Sequence, residues 1–275
     1  MSVVNINQGK NKVYLVGAGS GDPELLTLKA ARLLQQADIV FYDALVSDDV
    51  LQLVNPKSKL IYVGKRNGCH SSEQEDIHQA LANAALKHKT VIRLKGGDPF
   101  IFGRGGEEQQ ALTLLGISTE VVPGITAAVA AASYNNLPLT HRELSQGVTF
   151  ITAHAKNGQQ PNWQLYSQPN HTLVIYMGLT RIAETINGLI AAGRDISTPI
   201  ALIVNASRPQ QQRYLSTLGT AKELLSVKAD GPGLLIIGEV CQLAMGQAMT
   251  LPTSFNQFIR SAKSDQFNSP AAVRS

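Results

Sequence analysis

At 275 residues with 44% hydrophobic content, the chain is long enough to bury a substantial core and to form two domains of ordinary size. Its formal charge of +4 is spread over scattered bases, which argues against a nucleic-acid partner. A membrane span is also excluded, because the longest weakly polar run, Val121 to Tyr134, is broken by Pro123, Gly124 and Thr126 before reaching roughly 20 apolar residues.

Residues 1 to 11 form an extension whose start, Met1-Ser2-Val3-Val4-Asn5, has no basic region leading into an apolar core, so a cytoplasmic location is expected. A β-rich run, Lys12 to Val16, leads into Gly17-Ala18-Gly19-Ser20-Gly21-Asp22-Pro23 and then a helical pattern from Thr27 to Ala37. Apolar residues at Leu26, Ala30, Leu33, Leu34 and Ala37 give that helix one buried face. A dinucleotide fingerprint is one reading of the glycine loop, with Asp43 at about 20 residues on as the ribose-binding acid. Against it, Pro23 interrupts the start of the helix and Asp22 repels phosphate, so a plain tight turn is an equal reading.

Further strands are expected at Ile39 to Tyr42 and Leu60 to Val63, followed by the bases Lys65 and Arg66. A helix begins near Glu73, where Ser72 and Glu75 form a capping box ahead of Ile77, Leu81 and Leu86. The apolar run Thr90 to Leu94 then reads as a buried strand opening into the segment Arg93 to Glu108, which gathers five glycines with acids and bases. Glycines at a strand end let backbone approach a ligand closely, so this segment marks a small-molecule site.

After a strand at Glu120 to Val122, the segment Asn135 to Glu143 separates the halves, with domains expected over 12–137 and 138–246. The second half has strands at Val148 to Thr152, Leu173 to Met177, Ile200 to Val204, Gln212 to Leu218 and Leu234 to Ile237. Helix is expected there only at Ile182 to Ala192 and Ala221 to Ser226, so this half is richer in strand. Alternation of strands and helices predicts an α/β fold with a largely parallel sheet. Residues 247 to 275, rich in Ser, Asn, Gln and Pro, read as a mobile tail. Cys69 and Cys241 lie in no metal-site pattern and read as reduced thiols.

Taken in order, Val16 to Ala30, Tyr42 to Val46, Gly64-Lys65-Arg66, Arg93 to Gly106, Val122 to Ala127, Leu137 to Arg142 and Tyr176 to Leu179 resemble the tetrapyrrole methylase family. Within that family they are most similar to the branch that C-methylates uroporphyrinogen III, over roughly Lys12 to Val240. The resemblance implies two α/β domains with S-adenosylmethionine in the cleft between them, S-adenosylhomocysteine as product, and a homodimer. It implies two successive methyl transfers that give precorrin-2 by way of precorrin-1, on the route to sirohaem or cobalamin. Only a dozen residues precede the matched stretch, so a stand-alone form is expected.

Carried onto this sequence, the cofactor contacts fall on Ser20, Gly96, Gly97, Asp98, Ile101, Thr126, Ala127, Met177 and Ala206. The resemblance assigns a proton acceptor to Asp43 and a proton donor to Lys65. Two positions depart from the family pattern: Ser20 stands where Pro is usual and Ala206 where Gly is frequent. Ser20 gives up a fixed φ and adds a hydroxyl. Because the implied substrate carries many carboxylates, Arg66, Arg104 and Arg142 are candidate clamps, the alternative being internal ion pairs with Glu107, Glu108 or Glu143. Asp98 could instead cap the turn at Pro99, Asp43 could cap a strand end, Lys65 could be a solvated or substrate-carboxylate-binding base, and Met177 could be core. A relative methylating another corrin position, a nicotinamide-dependent oxidoreductase and a non-catalytic tetrapyrrole carrier are the competing readings.

Overall fold

The structure is a computed structural model, and it describes residues 11–64, 74–153 and 160–244. The first sheet contains β1 (Lys12–Gly17), β2 (Ile39–Tyr42), β3 (Lys59–Tyr62), β4 (Val91–Lys95) and β5 (Ser118–Val122). All its strands are parallel, in the order β3-β2-β4-β1-β5. Alternate residues of the strands enter two cores. Val16, Val40, Ile92 and Leu94 pack under α1 (Leu28–Gln36) and α2 (Asp48–Leu51). Val13, Leu15, Phe41 and Val91 pack on the opposite face, under α3 (Gln74–Ala85) and α4 (Gly105–Leu114). Thr27 starts α1 by accepting the Ala30 N–H at 3.1 Å. The proposed Ser72 cap of α3 lies outside the described residues.

The second sheet contains β6 (Gly147–Thr152), β7 (His171–Tyr176), β8 (Pro199–Val204), β9 (Gln212–Thr217) and β10 (Gly233–Ile237), in the order β6-β7-β10-β8-β9. Only β6 and β7 run parallel; every other pair is antiparallel. The expected largely parallel arrangement therefore holds for the first sheet and is corrected for the second. A crossover helix enforces parallel pairing, and between β8 and β9 the chain has only a short turn.

One face of the second sheet carries α6 (Ile182–Ala191) and the Ala221–Ser226 segment, a 3₁₀ helix where helix was expected, with Leu173, Ile175, Leu202 and Leu235 beneath them. The other face receives α5 (Ala127–Tyr134), whose Ala128 and Ala131 bring its backbone close to Val174, Ala201 and Ile236. This helix follows β5 directly in the chain yet packs on the second sheet, so it fastens the two sheets together. The short α7 (Cys241–Ala244) joins the same core; burial pushes the Cys241 thiol up to about 12. Among the described residues no helix is long and apolar enough to cross a membrane.

Candidate functional site

A cavity of about 540 Å³ opens at the carboxyl ends of β1, β2 and β4, with residues of the second sheet, including Ile203 and Leu234, forming its far wall. Parallel pairing of Gly17 with Lys95 brings the two glycine-rich loops side by side at that edge. The loops are bonded to each other: Ala18 N–H donates to the Lys95 carbonyl at 2.8 Å, and Gly97 N–H to the Gly19 carbonyl at 2.6 Å. Contact is so close that a Cβ on Gly17 would lie 2.6 Å from Gly124 Cα and 2.7 Å from the Gly97 carbonyl oxygen. Pro23 starts a single 3₁₀ turn, and α1 begins only at Leu28, so no helix N-terminus faces the first glycine loop. The arrangement that the dinucleotide reading requires is absent from this loop.

Seven of the residues matched to cofactor contacts, Ser20, Gly96, Gly97, Ile101, Thr126, Ala127 and Met177, line the cavity, as does Ala206. Gly97 adopts φ +70°, where only Thr126 Cα, at 4.0 Å, comes near the space a side chain would fill. At Gly96 that space is taken by Leu45, whose Cβ would be 2.4 Å from an added Cβ, so this glycine serves loop packing rather than room for a ligand. Asp98 does not line the cavity. Its Oδ1 accepts from Phe100 N at 2.8 Å and its Oδ2 from Gly124 N at 3.0 Å, which is a turn-capping arrangement that also pins a third loop, residues 123–126 between β5 and α5.

Non-glycine residues with positive φ gather here: Phe102 (52°), Arg104 (59°) and Met177 (55°) line the cavity, and Asn205 (53°) and Ser207 (60°) flank Ala206. Such conformations cost on the order of 1 kcal/mol or more each and persist where surrounding structure fixes them. Tyr176 supplies part of that framework: its hydroxyl lies 2.7 Å from Thr126 Oγ1 and accepts from Ala128 N at 3.1 Å. Its ring centroid is 4.8 Å from that of Phe102, and burial raises the phenol pKa. Ser20 Oγ and Ser207 Oγ are 2.6 Å apart, so the hydroxyl at the unusual position bonds the glycine loop to the second sheet's β8–β9 turn.

Asp43 lines the cavity just past β2. Its Oδ1 accepts from Leu45 N at 3.1 Å, and its Oδ2 is 3.1 Å from Arg93 Nη2. Arg93 continues into a buried array: its Nε donates to Glu108 Oε1 at 3.2 Å, and Lys95 Nζ donates to the same oxygen at 2.9 Å. Arg93, Lys95 and Glu108 are 5%, 4% and 1% exposed, so these are charges held away from water. Burial and then the neighbouring Arg93 hold the Lys95 pKa below its usual value. Glu108 Oε2 is buried with no hydrogen-bond partner among the described residues. The missed signal was the pair of cations at positions 93 and 95, on one face of an otherwise apolar strand and requiring a buried acid opposite.

Arg104 lines the cavity but is engaged by Glu107, with its Nε 3.1 Å from Oε2. Arg142, a candidate clamp, is exposed in the turn closed by the His141–Ser145 bridge and does not line the cavity. Lys65 and Arg66 lie outside the described residues. Arg208, which the sequence did not single out, also lines the cavity. The walls are largely apolar, and the two carboxylates that line them, on Asp43 and Glu108, are held by the buried cations Arg93 and Lys95.

A family model described as tetrapyrrole (corrin/porphyrin) methylases matches residues 12–222. The uroporphyrinogen-III C-methyltransferase of Synechocystis is 48% identical over 243 residues, 86% of this chain and 92% of that protein. A siroheme synthase of Pseudoalteromonas translucida is 48% identical over 236 residues, 85% of this chain and 50% of its own length. The chain thus spans about half the length of the siroheme synthases it matches. A solved uroporphyrin-III C-methyltransferase of Thermus thermophilus, complexed with S-adenosyl homocysteine, is 42% identical with a TM-score of 0.74, covering 84% of this chain and 99% of its own. A cobalt precorrin-4 methyltransferase is 26% identical with a TM-score of 0.75, covering 84% of this chain and 96% of its own.

Proposed function

This chain belongs to the tetrapyrrole (corrin/porphyrin) methylase family, and on that premise we propose that it is an S-adenosylmethionine-dependent C-methyltransferase. It adds two methyl groups to uroporphyrinogen III and gives precorrin-2 by way of precorrin-1. The observation that carries this reading is the cavity itself, where eight of the nine residues matched to cofactor contacts meet Asp43 around one space of about 540 Å³.

The residues present suit such a cofactor. Gly97, at φ +70°, leaves main chain exposed, while Ile101, Met177 and Ala206 provide apolar walls. When bound, S-adenosylmethionine supplies an electrophilic methyl group carried on a sulfonium. Because positive charge is lost as the methyl group transfers, a strongly anionic pocket gains little and alignment gains more, in keeping with the mostly apolar lining. Thr126 and Ala127, fixed through Tyr176, and Gly97 would hold the adenosine in place.

Asp43 is the proton acceptor that restores ring conjugation after each transfer, and Arg93 holds its carboxylate in the cavity. Lys65 is the proton donor, with Arg66 and Arg104 meeting substrate carboxylates; Arg142, which does not line the cavity, is not among them. The protein works as a homodimer, a reading that rests on family resemblance and is checked by sedimentation equilibrium.

The decisive test is anaerobic incubation with uroporphyrinogen III and methyl-labelled S-adenosylmethionine, following the tetrapyrrole by mass. A gain of two labelled methyl groups is expected. Binding of the cofactor without label transfer would redirect the search to later corrin precursors, and binding of neither ligand would end the methyltransferase reading.

A further inference from the structure

The cations of the cavity are not equivalent. Arg93 and Lys95 face Asp43 and Glu108, and Arg104 faces Glu107. Arg208 also lines the cavity but forms no ion pair among the described residues. Its bonds go to neutral backbone: Nη2 donates to the Leu45 carbonyl at 2.6 Å and Nε to the Ser20 carbonyl at 3.3 Å. Those two groups make up one side of the guanidinium fork. Nη1 and the second hydrogen of Nη2, which point from its far end, have no partner among the described residues.

The protein is built to hold this side chain where it is. Gly21 lies under it so closely that a Cβ there would be 2.7 Å from Arg208 Cγ and Nε. The turn carrying it is fixed by Arg208 N to the Asn205 carbonyl at 3.0 Å and Ser207 N to Gln211 Oε1 at 2.8 Å. Partial burial lowers the guanidinium pKa, with no nearby acid offsetting the loss of hydration. A half-desolvated cation, locked in position with a planar donor pair left over, has the geometry that receives a carboxylate by two parallel hydrogen bonds.

We propose that Arg208 is a carboxylate-binding residue of the cavity, reaching from the second sheet across to the Ser20 and Leu45 loops and presenting its free donor edge to a ligand carboxylate. This rests on the methyltransferase reading, which offers two sources of that chemistry: the amino-acid carboxylate of the cofactor and a side-chain carboxylate of the tetrapyrrole.

The test is calorimetric titration of the full chain and of Arg208→Met with S-adenosylhomocysteine, its decarboxylated analogue and, anaerobically, uroporphyrinogen III. Loss of a charge-assisted bond predicts about tenfold or greater weakening of one carboxylate ligand. Weaker S-adenosylhomocysteine with an unchanged decarboxylated analogue places the cofactor there. Weaker uroporphyrinogen III with both nucleosides unchanged places the substrate there. Equal weakening of all three ligands, or no change in any, overturns the proposal and leaves Arg208 as a structural link between loops. Should Arg208→Met fail to fold, Arg208→Lys gives the same contrast, since it keeps the charge but lacks the fork; wild-type affinity in that variant for every ligand likewise overturns it. A wild-type chain that binds none of the ligands overturns both this proposal and the functional reading, whereas normal wild-type binding with an indifferent variant overturns this proposal alone.

Discussion

Arg93 Nη2 stands 3.1 Å from Asp43 Oδ2, so a guanidinium rooted in a fully buried strand fixes a carboxylate that reaches the cavity from the neighbouring strand. The two are 50 residues apart in sequence, and parallel pairing of Phe41 with Arg93 brings them together.

Asp43→Asn retains an oxygen for Arg93 while removing the proton acceptor. Methyl transfer in single-turnover experiments should fall by about 10²-fold or more, with S-adenosylhomocysteine affinity within a few-fold of wild type. Near-normal transfer would reduce Asp43 to its turn-capping bond with Leu45.

Glu108→Gln should destabilise the fold by about 3 kcal/mol or more in urea denaturation, since it leaves Arg93 and Lys95 buried without their shared anion. A cost below about 1 kcal/mol would mean that these charges behave as a solvated surface pair.

Lys95 has a folded-state pKa below its usual 10.5, caused first by burial and then by Arg93. Between the lowered value and 10.5 the unfolded chain holds a proton that the folded chain has released, so stability contributed by this residue rises with pH across that window. Subtracting the stability of Lys95→Met from that of wild type should therefore give a difference that grows as pH approaches 10.5, and a falling difference would contradict the assignment.

Gly17→Ala would place a methyl group 2.6 Å from Gly124 Cα, where both neighbours are backbone and cannot swing aside. Thermal denaturation should show a loss of about 1–3 kcal/mol. S-adenosylhomocysteine should also bind more weakly, because the three loops around the cavity are wedged apart. Unchanged stability and affinity would show that the loops can part to admit the methyl group without cost.

Ser20→Ala removes the 2.6 Å hydroxyl pair with Ser207. The expected cost is about 1 kcal/mol, with little change in the rate of methyl transfer, since the pair joins loops rather than reacting groups. A large fall in rate without loss of stability would give the hydroxyl a direct part in the chemistry.

Much of the fold was legible because backbone preference and burial leave local marks. Ile39–Tyr42, four apolar or aromatic residues in a row, is a strand with the expected limits, and the spacing of Ala30, Leu33 and Leu34 marks the buried face of α1. The order of the second sheet was not legible, because β10 is placed between β7 and β8 by pairing across long stretches of chain. The role of α5 was equally hidden, since its run of alanines shows burial without showing which sheet it covers.

The glycine loops and the Arg93 to Glu108 segment are visible in the sequence because close backbone approach, as at Gly17, demands glycine and positive φ, as at Gly97, favours it. Chain order alone also separates the two groups of strands. What tertiary structure decided is which charges meet: Glu108 faces Arg93 and Lys95 because α4 lies over that face of β4, while Arg208 is left without an acid partner among the described residues. A side chain's local propensity is set by its own few neighbours in sequence, whereas its electrostatic partner is set by the packing of distant segments, and only the folded chain fixes that distance.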